Sequence, residues 1–271
     1  NGTDFIFIKE NLENLKEIID SYRKYGNFTS QFIKEVKEPL DYALNLLKIY
    51  GRETKTRNIT FSSTLPPLPV LEETKELPIS EITATGVPPL LDGVLENSIW
   101  EKVFPLRYFY WHTGSSKSEV ETAVKITYGM ENLYISFENY EPNLKKVKKL
   151  SRMRDAWDIF NDDIIEVFLQ VPGSKDYYHF VVNINNNNFD EKINKANWDA
   201  NWQSAVKIYE DRWVVEMQIP FSEINFVPQK GGTLKANFIR TRFQELDPYS
   251  EWSPTYNSPH TPNRFGILVL K

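Results

Sequence analysis

The spacing of hydrophobic residues changes once along this chain, from a helical period to a strand period. Between residues 10 and 51, apolar side chains recur every three or four positions, as on one face of an amphipathic helix. Gly26 and Gly51 stand where two such helices would end, and the short link between them favours an antiparallel arrangement. The sequence therefore predicts an α-helical hairpin over residues 1–51.

Residues 52–88 have no regular hydrophobic period and are rich in proline. The run Leu65-Pro-Pro-Leu-Pro-Val70 and the later Pro78 are typical of an extended chain, because proline fixes φ and removes a backbone donor. This segment is predicted to be a semi-rigid linker that lies along the neighbouring domain.

From residue 89 to residue 271, apolar and polar residues alternate in short runs separated by polar loops. A period of two indicates strands with two distinct faces, and many short strands without intervening helices indicate an antiparallel β-sandwich. The predicted fold is therefore mainly β, with a helical hairpin and a linker in front of the sandwich. The predicted strands are 120–128, 132–138, 163–171, 177–185, 204–210, 212–219, 234–243 and 265–270.

Composition excludes several classes of protein. The net charge of −5 and the absence of a basic stripe argue against nucleic-acid binding. No apolar run approaches the ~20 residues of a membrane-spanning helix. Because the chain has no cysteine, it has no disulfide, no catalytic thiolate and no zinc–sulfur site.

The sequence also predicts that the chain is not an enzyme. It contains no glycine-rich phosphate loop, no serine nucleophile elbow and no HExxH motif. His112, His179 and His260 are far apart and show no metal-ligand spacing. Glycoside hydrolysis needs two carboxylates that face each other across a cleft, whereas the acidic residues here crowd into one loop.

That acidic loop, residues 155–163, contains the most informative candidates for binding. It runs directly into a predicted strand that carries Glu166 and brings the rings of Trp157 and Phe160 beside this carboxylate. Flat rings can stack on the C–H faces of a sugar, and a carboxylate accepts hydrogen bonds from its hydroxyls. The alternative is that the aspartates cap backbone amides and the rings fill the core. Trp252 lies between polar residues, so it is either a second ligand platform or packing at a strand edge.

Two acidic turns also have the oxygen ligands that calcium requires, although capping of the turns is the alternative. One turn contains Asp92 and Glu96, and the loop described above contains Asp155, Asp158 and Asp163.

Four motifs follow one another through the predicted sandwich. They are Leu91-Asp-Gly-Val-Leu-Glu-Asn-Ser-Ile-Trp100, Trp157…Asp162-Asp163-Ile-Ile-Glu166-Val-Phe-Leu, Trp213-Val-Val-Glu-Met-Gln-Ile-Pro-Phe221 and Asn263-Arg-Phe-Gly-Ile-Leu-Val-Leu270. In order and spacing they resemble carbohydrate-binding module family 9 and its wider family-9-like group, across about residues 88–271.

The resemblance implies a calcium-bearing β-sandwich that binds sugars and is appended to enzymes that degrade plant polysaccharides. In such modules two tryptophans clamp a sugar end, aided by a glutamate and an arginine. By position, Glu166 matches the glutamate and Phe160 the first tryptophan. Val181 falls where the arginine is expected, and Pro259 or His260 where the second tryptophan is expected.

We therefore predict a non-catalytic carbohydrate-binding module from a secreted or periplasmic bacterial protein that degrades polysaccharides. Its expected partners are an oligosaccharide or polysaccharide and a catalytic domain of the same parent protein. The alternative is a structural accessory domain that binds no sugar and packs on a glycoside hydrolase domain. The predicted sugar-binding residues are Trp157, Phe160, Glu166, Trp252 and His260, and the predicted calcium ligands are Asp92, Glu96, Asp155, Asp158 and Asp163.

Overall fold

The computed structural model describes residues 76–271, except 97–98, 113, 115, 151–152, 196, 245–247 and 257. The predicted helical hairpin and most of the predicted linker lie outside this range. Within it, strands dominate, and the helical elements are short 3-10 turns. The strands are β1 Ile79–Ala84, β2 Tyr110–Trp111, β3 Thr122–Tyr128, β4 Asn132–Tyr140, β5 Ile164–Gln170, β6 Tyr178–Asn183, β7 Asn188–Lys192, β8 Gln203–Ile208, β9 Arg212–Pro220, β10 Thr233–Thr241, β11 Tyr249–Glu251 and β12 Gly266–Leu270.

The strands form two sheets that share one strand. The first sheet has the order β7-β6-β5-β10-β12-β1, and β11 extends it by pairing with both β10 and β2. The second sheet has the order β1-β3-β4-β9-β8. Strand β1 pairs with β12 through Ile79–Ile82 and then with β3 through its last two residues, so it passes from one sheet to the other.

The core lies between the inner faces of the two sheets. Ile126 and Phe137 from the second sheet share one buried cluster with Val167, Phe180 and Phe238 from the first. The rings of Phe137 and Phe238 meet edge to face, with centroids 6.1 Å apart. Because each strand alternates its side chains, the residues between these core positions on the first sheet form an outer face.

The predicted β-rich fold is confirmed, and all eight predicted strands are present. Two expectations need correction. The segment predicted to be a linker contains β1, which lies in the sheet. The prolines on either side of this strand, Pro78 and Pro88, suggested a linker, but Pro78 only precedes the strand. The sandwich is also not purely antiparallel, because β1 runs parallel to both of its neighbours.

Glu216 in β9 fixes the turn that opens the sandwich. Its fully buried carboxylate accepts hydrogen bonds from the backbone amides of Asp92 and Gly93 and from Nε1 of Trp100, at 2.9, 2.5 and 2.6 Å. Gly93 has φ +75°, and a Cβ there would lie 2.4 Å from Cβ of Lys207, so this position needs glycine. Two of the sequence motifs thus meet in one structural contact.

Among the described residues, no helix has the length and apolar character needed to cross a bilayer.

Candidate functional site

The candidate site lies on the outer face of the first sheet, on the three neighbouring strands β5, β6 and β7. Residues Ile165, Val167 and Leu169 of β5 point into the core, so the alternate residue Glu166 faces outward. In the next strand, His179 pairs in register with Phe168 of β5 and with Glu191 of β7. We call Glu166, His179, Glu191 and the aromatic residues around them the outer face.

A charged network runs across these strands. Nε2 of His179 lies 3.0 Å from Oε2 of Glu166, and Nδ1 of His179 lies 3.1 Å from Oε1 of Glu191. The other oxygen of Glu166 accepts a 2.9 Å hydrogen bond from the hydroxyl of Thr241 in β10. Burial alone would lower the pKa of His179, but its hydrogen bonds to the two glutamates outweigh burial and raise this pKa. The imidazole is therefore held by carboxylates on both sides.

Aromatic rings surround this histidine. Phe168 stacks on His179 with centroids 4.0 Å apart and planes 13° apart, and Phe160 stacks less closely at 5.8 Å. Trp157 meets Phe160 edge to face at 5.2 Å and Phe189 at 5.5 Å. The 3-10 turn Trp157–Asn161 directly precedes β5 and presents these rings at the edge of the outer face. Trp157 keeps 65% of its surface exposed, so its indole is available to a ligand.

His260 borders the same surface from the loop before β12. Its Nδ1 lies 2.9 Å from the hydroxyl of Tyr177, and its ring meets that of His179 at 90° with centroids 5.3 Å apart. The surrounding groups desolvate the ring of His260, although part of its side chain is exposed, and together with the neighbouring charge on His179 they lower its pKa; burial raises the pKa of Tyr177 to about 12. Both groups are therefore uncharged at neutral pH.

Four of the five predicted sugar-binding residues thus lie on one surface: Trp157, Phe160, Glu166 and His260. Trp252 does not join them. It is only 6% exposed and packs against Phe238 in the core with ring centroids 5.6 Å apart. The cause is local, because the amide of Trp252 donates to the carbonyl of Phe238, which turns the indole to the inner side of the sheet.

Three residues that complete the surface were not among the predicted ones: His179, Glu191 and Tyr177. The linear sequence does not mark His179 as a candidate, because a single histidine on a strand belongs to no recognisable motif. The available signal is the alternation itself. If β5 and β6 are paired by their hydrophobic patterns, His179 falls on the same face as Glu166.

Three of the predicted calcium ligands, Asp92, Glu96 and Asp163, are held by other partners. Oδ1 of Asp92 accepts a hydrogen bond from the amide of Val94, and Glu96 forms a 3.1 Å ion pair with Arg212. Asp163 is buried, and its two oxygens accept hydrogen bonds of 2.7 and 3.2 Å from the backbone amides of Phe243 and Lys148. Burial raises the pKa of Asp163 despite these bonds. In each case the carboxylate fixes a turn or joins two loops.

One acidic group does converge, and it contains one of the predicted calcium ligands, Asp155. Carboxylate oxygens of Asp155, Asp190 and Asp199 lie within 4.8 Å of one another, and neither Asp158 nor Asp163 belongs to such a group within the described residues. The guanidinium of Arg154 lies among the three: it donates to Asp190 and Asp199 and lies 3.4 Å from Asp155. The guanidinium of Arg154 therefore balances part of the negative charge of these three carboxylates and occupies the position that a calcium ion would need.

Comparison with known proteins assigns this architecture to a described group. Residues 91–271 match the family described as carbohydrate family 9 binding domain-like. No curated protein matches the chain.

Solved structures show the same fold. A Bacteroides uniformis ATCC 8492 protein, named as a candidate carbohydrate-binding protein, aligns with a TM-score of 0.57 and 18% identity; the match covers 72% of this chain and 100% of that one. A family 9 carbohydrate-binding module from Caldicellulosiruptor kristjanssonii in complex with glucose aligns with a TM-score of 0.51 and 22% identity, covering 71% and 96%. The same kind of module in complex with cellotriose aligns with a TM-score of 0.51 and 21% identity; the match covers 71% of this chain and 94% of that one.

Proposed function

Because this chain belongs to the family of carbohydrate family 9 binding domain-like proteins, we propose that its outer face binds an oligosaccharide. The family consists of non-catalytic binding modules, so the activity is recognition without chemistry. The neighbours of known structure bind glucose and cellotriose, which makes a short β-linked glucose oligomer the first ligand to test.

The exposed indole of Trp157 is the observation that carries this proposal. All seven tryptophans lie in the described part of the chain, and only Trp157 keeps most of its surface exposed, at 65%. An exposed indole contributes little to folding, whereas beside a polar cluster it offers a face for the C–H groups of a sugar ring. Phe160 and Phe189 support it edge to face, so its orientation is fixed before a ligand arrives.

The polar part of the proposed site is preorganised in the same way. Each oxygen of Glu166 already accepts one hydrogen bond, from His179 or from Thr241, which fixes the carboxylate. Every carboxylate oxygen has a second lone pair, so Glu166 keeps acceptor capacity for a sugar hydroxyl that reaches this carboxylate, which is only 4% exposed. We propose that the ring of His260, which meets that of His179, takes the place of a second stacking aromatic. We therefore propose weak binding, with Kd on the order of 0.1–1 mM.

Replacing Trp157 with alanine is expected to weaken cellotriose binding about fivefold to tenfold, because one ring–sugar contact contributes about 1 kcal/mol. Isothermal titration calorimetry at millimolar ligand measures this change. The matched control is Phe104→Ala, which removes an aromatic side chain that is 94% exposed and borders β1 rather than the outer face. Equal affinity in wild type and Trp157→Ala would contradict the proposal.

If the wild type releases no heat with any soluble plant oligosaccharide, sugar binding is rejected. A domain that only packs on a glycoside hydrolase then becomes the better explanation. We further propose that the parent protein is bacterial, exported and active on polysaccharides. The bacterial origin of the two named neighbours supports the first of these properties.

Calcium binding is a separate proposal, and no step of sugar recognition depends on it. For calcium to reach Asp155, Asp190 and Asp199, the guanidinium of Arg154 must leave. We expect Arg154→Gln to be less stable than wild type without calcium and to gain more in melting temperature from millimolar calcium, because binding stabilises the folded state by mass action. Thermal unfolding with calcium and with a chelator measures both. An equal or smaller gain in Arg154→Gln than in wild type would count against calcium at this place.

A further inference from the structure

We propose that His179, Glu191 and His260 form a binding site for a divalent transition-metal ion, for which zinc is the best-matched ion. This site is distinct from any calcium site in its ligands. Imidazole nitrogen favours zinc, copper and nickel, whereas calcium favours an all-oxygen shell. Two histidines with one carboxylate are also a recognised zinc ligand set, which leaves the fourth tetrahedral position for water.

The distances between the three groups fit such an ion. A ring nitrogen of each histidine and a carboxylate oxygen of Glu191 lie within 4.8 Å of one another. Zinc–ligand bonds of about 2.0–2.1 Å place neighbouring tetrahedral ligand atoms about 3.4 Å apart. Nδ1 of His179 and Oε1 of Glu191, 3.1 Å apart, already match this spacing. His260 lies in an exposed loop and has to approach by no more than about 1.5 Å.

The outer partners of both histidines are the independent observation that points to a metal. A metal-binding histidine normally uses one ring nitrogen for the ion and gives the other to a carboxylate or another polar group, which fixes the ring. Nε2 of His179 lies 3.0 Å from Glu166, which leaves Nδ1 for the ion. Nδ1 of His260 lies 2.9 Å from the hydroxyl of Tyr177, which leaves Nε2.

The surroundings of His179 further favour metal binding. Phe168 and Phe160 stack on its ring, so an apolar shell limits its movement and its access to water. Among the residues that the structure describes, no lysine or arginine forms an ion pair with Glu166 or Glu191. The outer face therefore differs from the Asp155, Asp190 and Asp199 group, where Arg154 already supplies the positive charge.

The test uses the chelator-treated full chain and zinc alone, followed by isothermal titration calorimetry. We expect one zinc ion per chain with a Kd in the micromolar range or below, and an increase in Kd of about tenfold or more in His260→Ala and in Glu191→Gln. Neither variant removes the buried His179, so both keep the core of the site. The matched control is His112→Ala, which deletes the only histidine outside the group and should leave Kd unchanged.

Cobalt provides a second readout that a merely structural role would not change. We expect the wild type with Co²⁺ to show the intense visible absorption of a tetrahedral site, and His260→Ala to lose it. No heat with zinc at about 0.1 mM, or an unchanged Kd in both site variants, would overturn the proposal. Because no sugar is present in either experiment, failure here leaves the proposed sugar binding untouched.

Discussion

Replacing Glu216 with alanine is expected to lower the free energy of unfolding by about 3–5 kcal/mol, a large fraction of the stability of a typical domain. The carboxylate of Glu216 is fully buried and accepts three hydrogen bonds, two from backbone amides of the opening turn and one from the indole of Trp100. Each buried donor left without an acceptor costs about 1–3 kcal/mol, and alanine supplies none.

The loss should extend beyond the hydrogen bonds. Trp100 is 0% exposed and forms a small buried cluster with Leu95, Tyr134 and Val214 against the outer side of the second sheet. Without Glu216, the indole nitrogen would have to remain buried and unpaired, or the ring would have to leave this cluster. Either outcome loosens the connection between the opening turn and β9.

Urea unfolding, followed by tryptophan fluorescence, measures the effect as a lower midpoint. Glu216→Gln should fall between alanine and wild type, because its carbonyl oxygen still accepts while its amino group faces donors. The matched control is Glu210→Ala, which removes an exposed carboxylate from the turn between β8 and β9 and should change little. A midpoint for Glu216→Ala as high as that of this control would contradict the structural role.

The alternation of residues was sufficient to predict most of the fold, because the period of two is a local property of each strand. β1 was not predicted, because its position in the sheet depends on contacts that are distant in sequence. Its partners, β12 and β3, lie far away in the chain, and its six residues stand between prolines that suggest a linker. Neither the shared strand nor its parallel pairings can be read from a local pattern.

The candidate site shows the same division. Trp157, Phe160 and Glu166 are close in sequence, so their common location could be predicted directly. His179 and Glu191 come to Glu166 only through the pairing of β5, β6 and β7. Their contribution depends on register, and a shift of one residue would move all of them to the inner face.

Trp252 illustrates how polar neighbours in the sequence can mislead. Its flanking residues Glu251 and Ser253 suggested a solvent-exposed loop, but both are 0% exposed. Their polar atoms are satisfied inside the protein, because Ser253 donates to the carbonyl of Arg264 and Glu251 accepts from Thr255. Polarity therefore indicated a buried hydrogen-bond network rather than a surface.

That network leads to the second large effect: Glu251→Gln is expected to make the protein more stable than wild type at alkaline pH. Burial raises the pKa of Glu251 to about 8, although hydrogen bonds from Thr255 and Asn237 and the nearby His112 oppose the shift. Below this pH the buried carboxyl group is protonated and neutral. Its Oε2 accepts the amide of Thr255, and its Oε1 lies 3.0 Å from the Thr255 hydroxyl, which can accept its proton.

The direction of the effect follows from the difference between the folded and unfolded states. An unfolded glutamate ionises near the ordinary glutamate pKa of 4.5, whereas the folded one holds its proton until about pH 8. Its stabilising contribution is therefore complete below pH 4.5 and is lost as pH rises towards 8, at roughly 1 kcal/mol per pH unit. Glutamine has the shape of the protonated glutamate: its oxygen can accept the Thr255 amide and its amino group can donate to the Thr255 hydroxyl. Since glutamine does not titrate, the Glu251→Gln variant does not lose this stability as the pH rises.

Urea midpoints measured from about pH 5 to about pH 8 should therefore fall more steeply for wild type than for Glu251→Gln. Near pH 5 the two proteins should be similar, and near pH 8 the variant should be more stable by about 2–4 kcal/mol. Glu210→Gln, which removes an exposed carboxylate, should follow the wild-type profile. Parallel profiles for wild type and Glu251→Gln would show that Glu251 is ionised in the folded protein across this range. The nearby His112 would then be the positive partner to test, and His112→Ala would destabilise the protein most at the pH where that imidazole is charged.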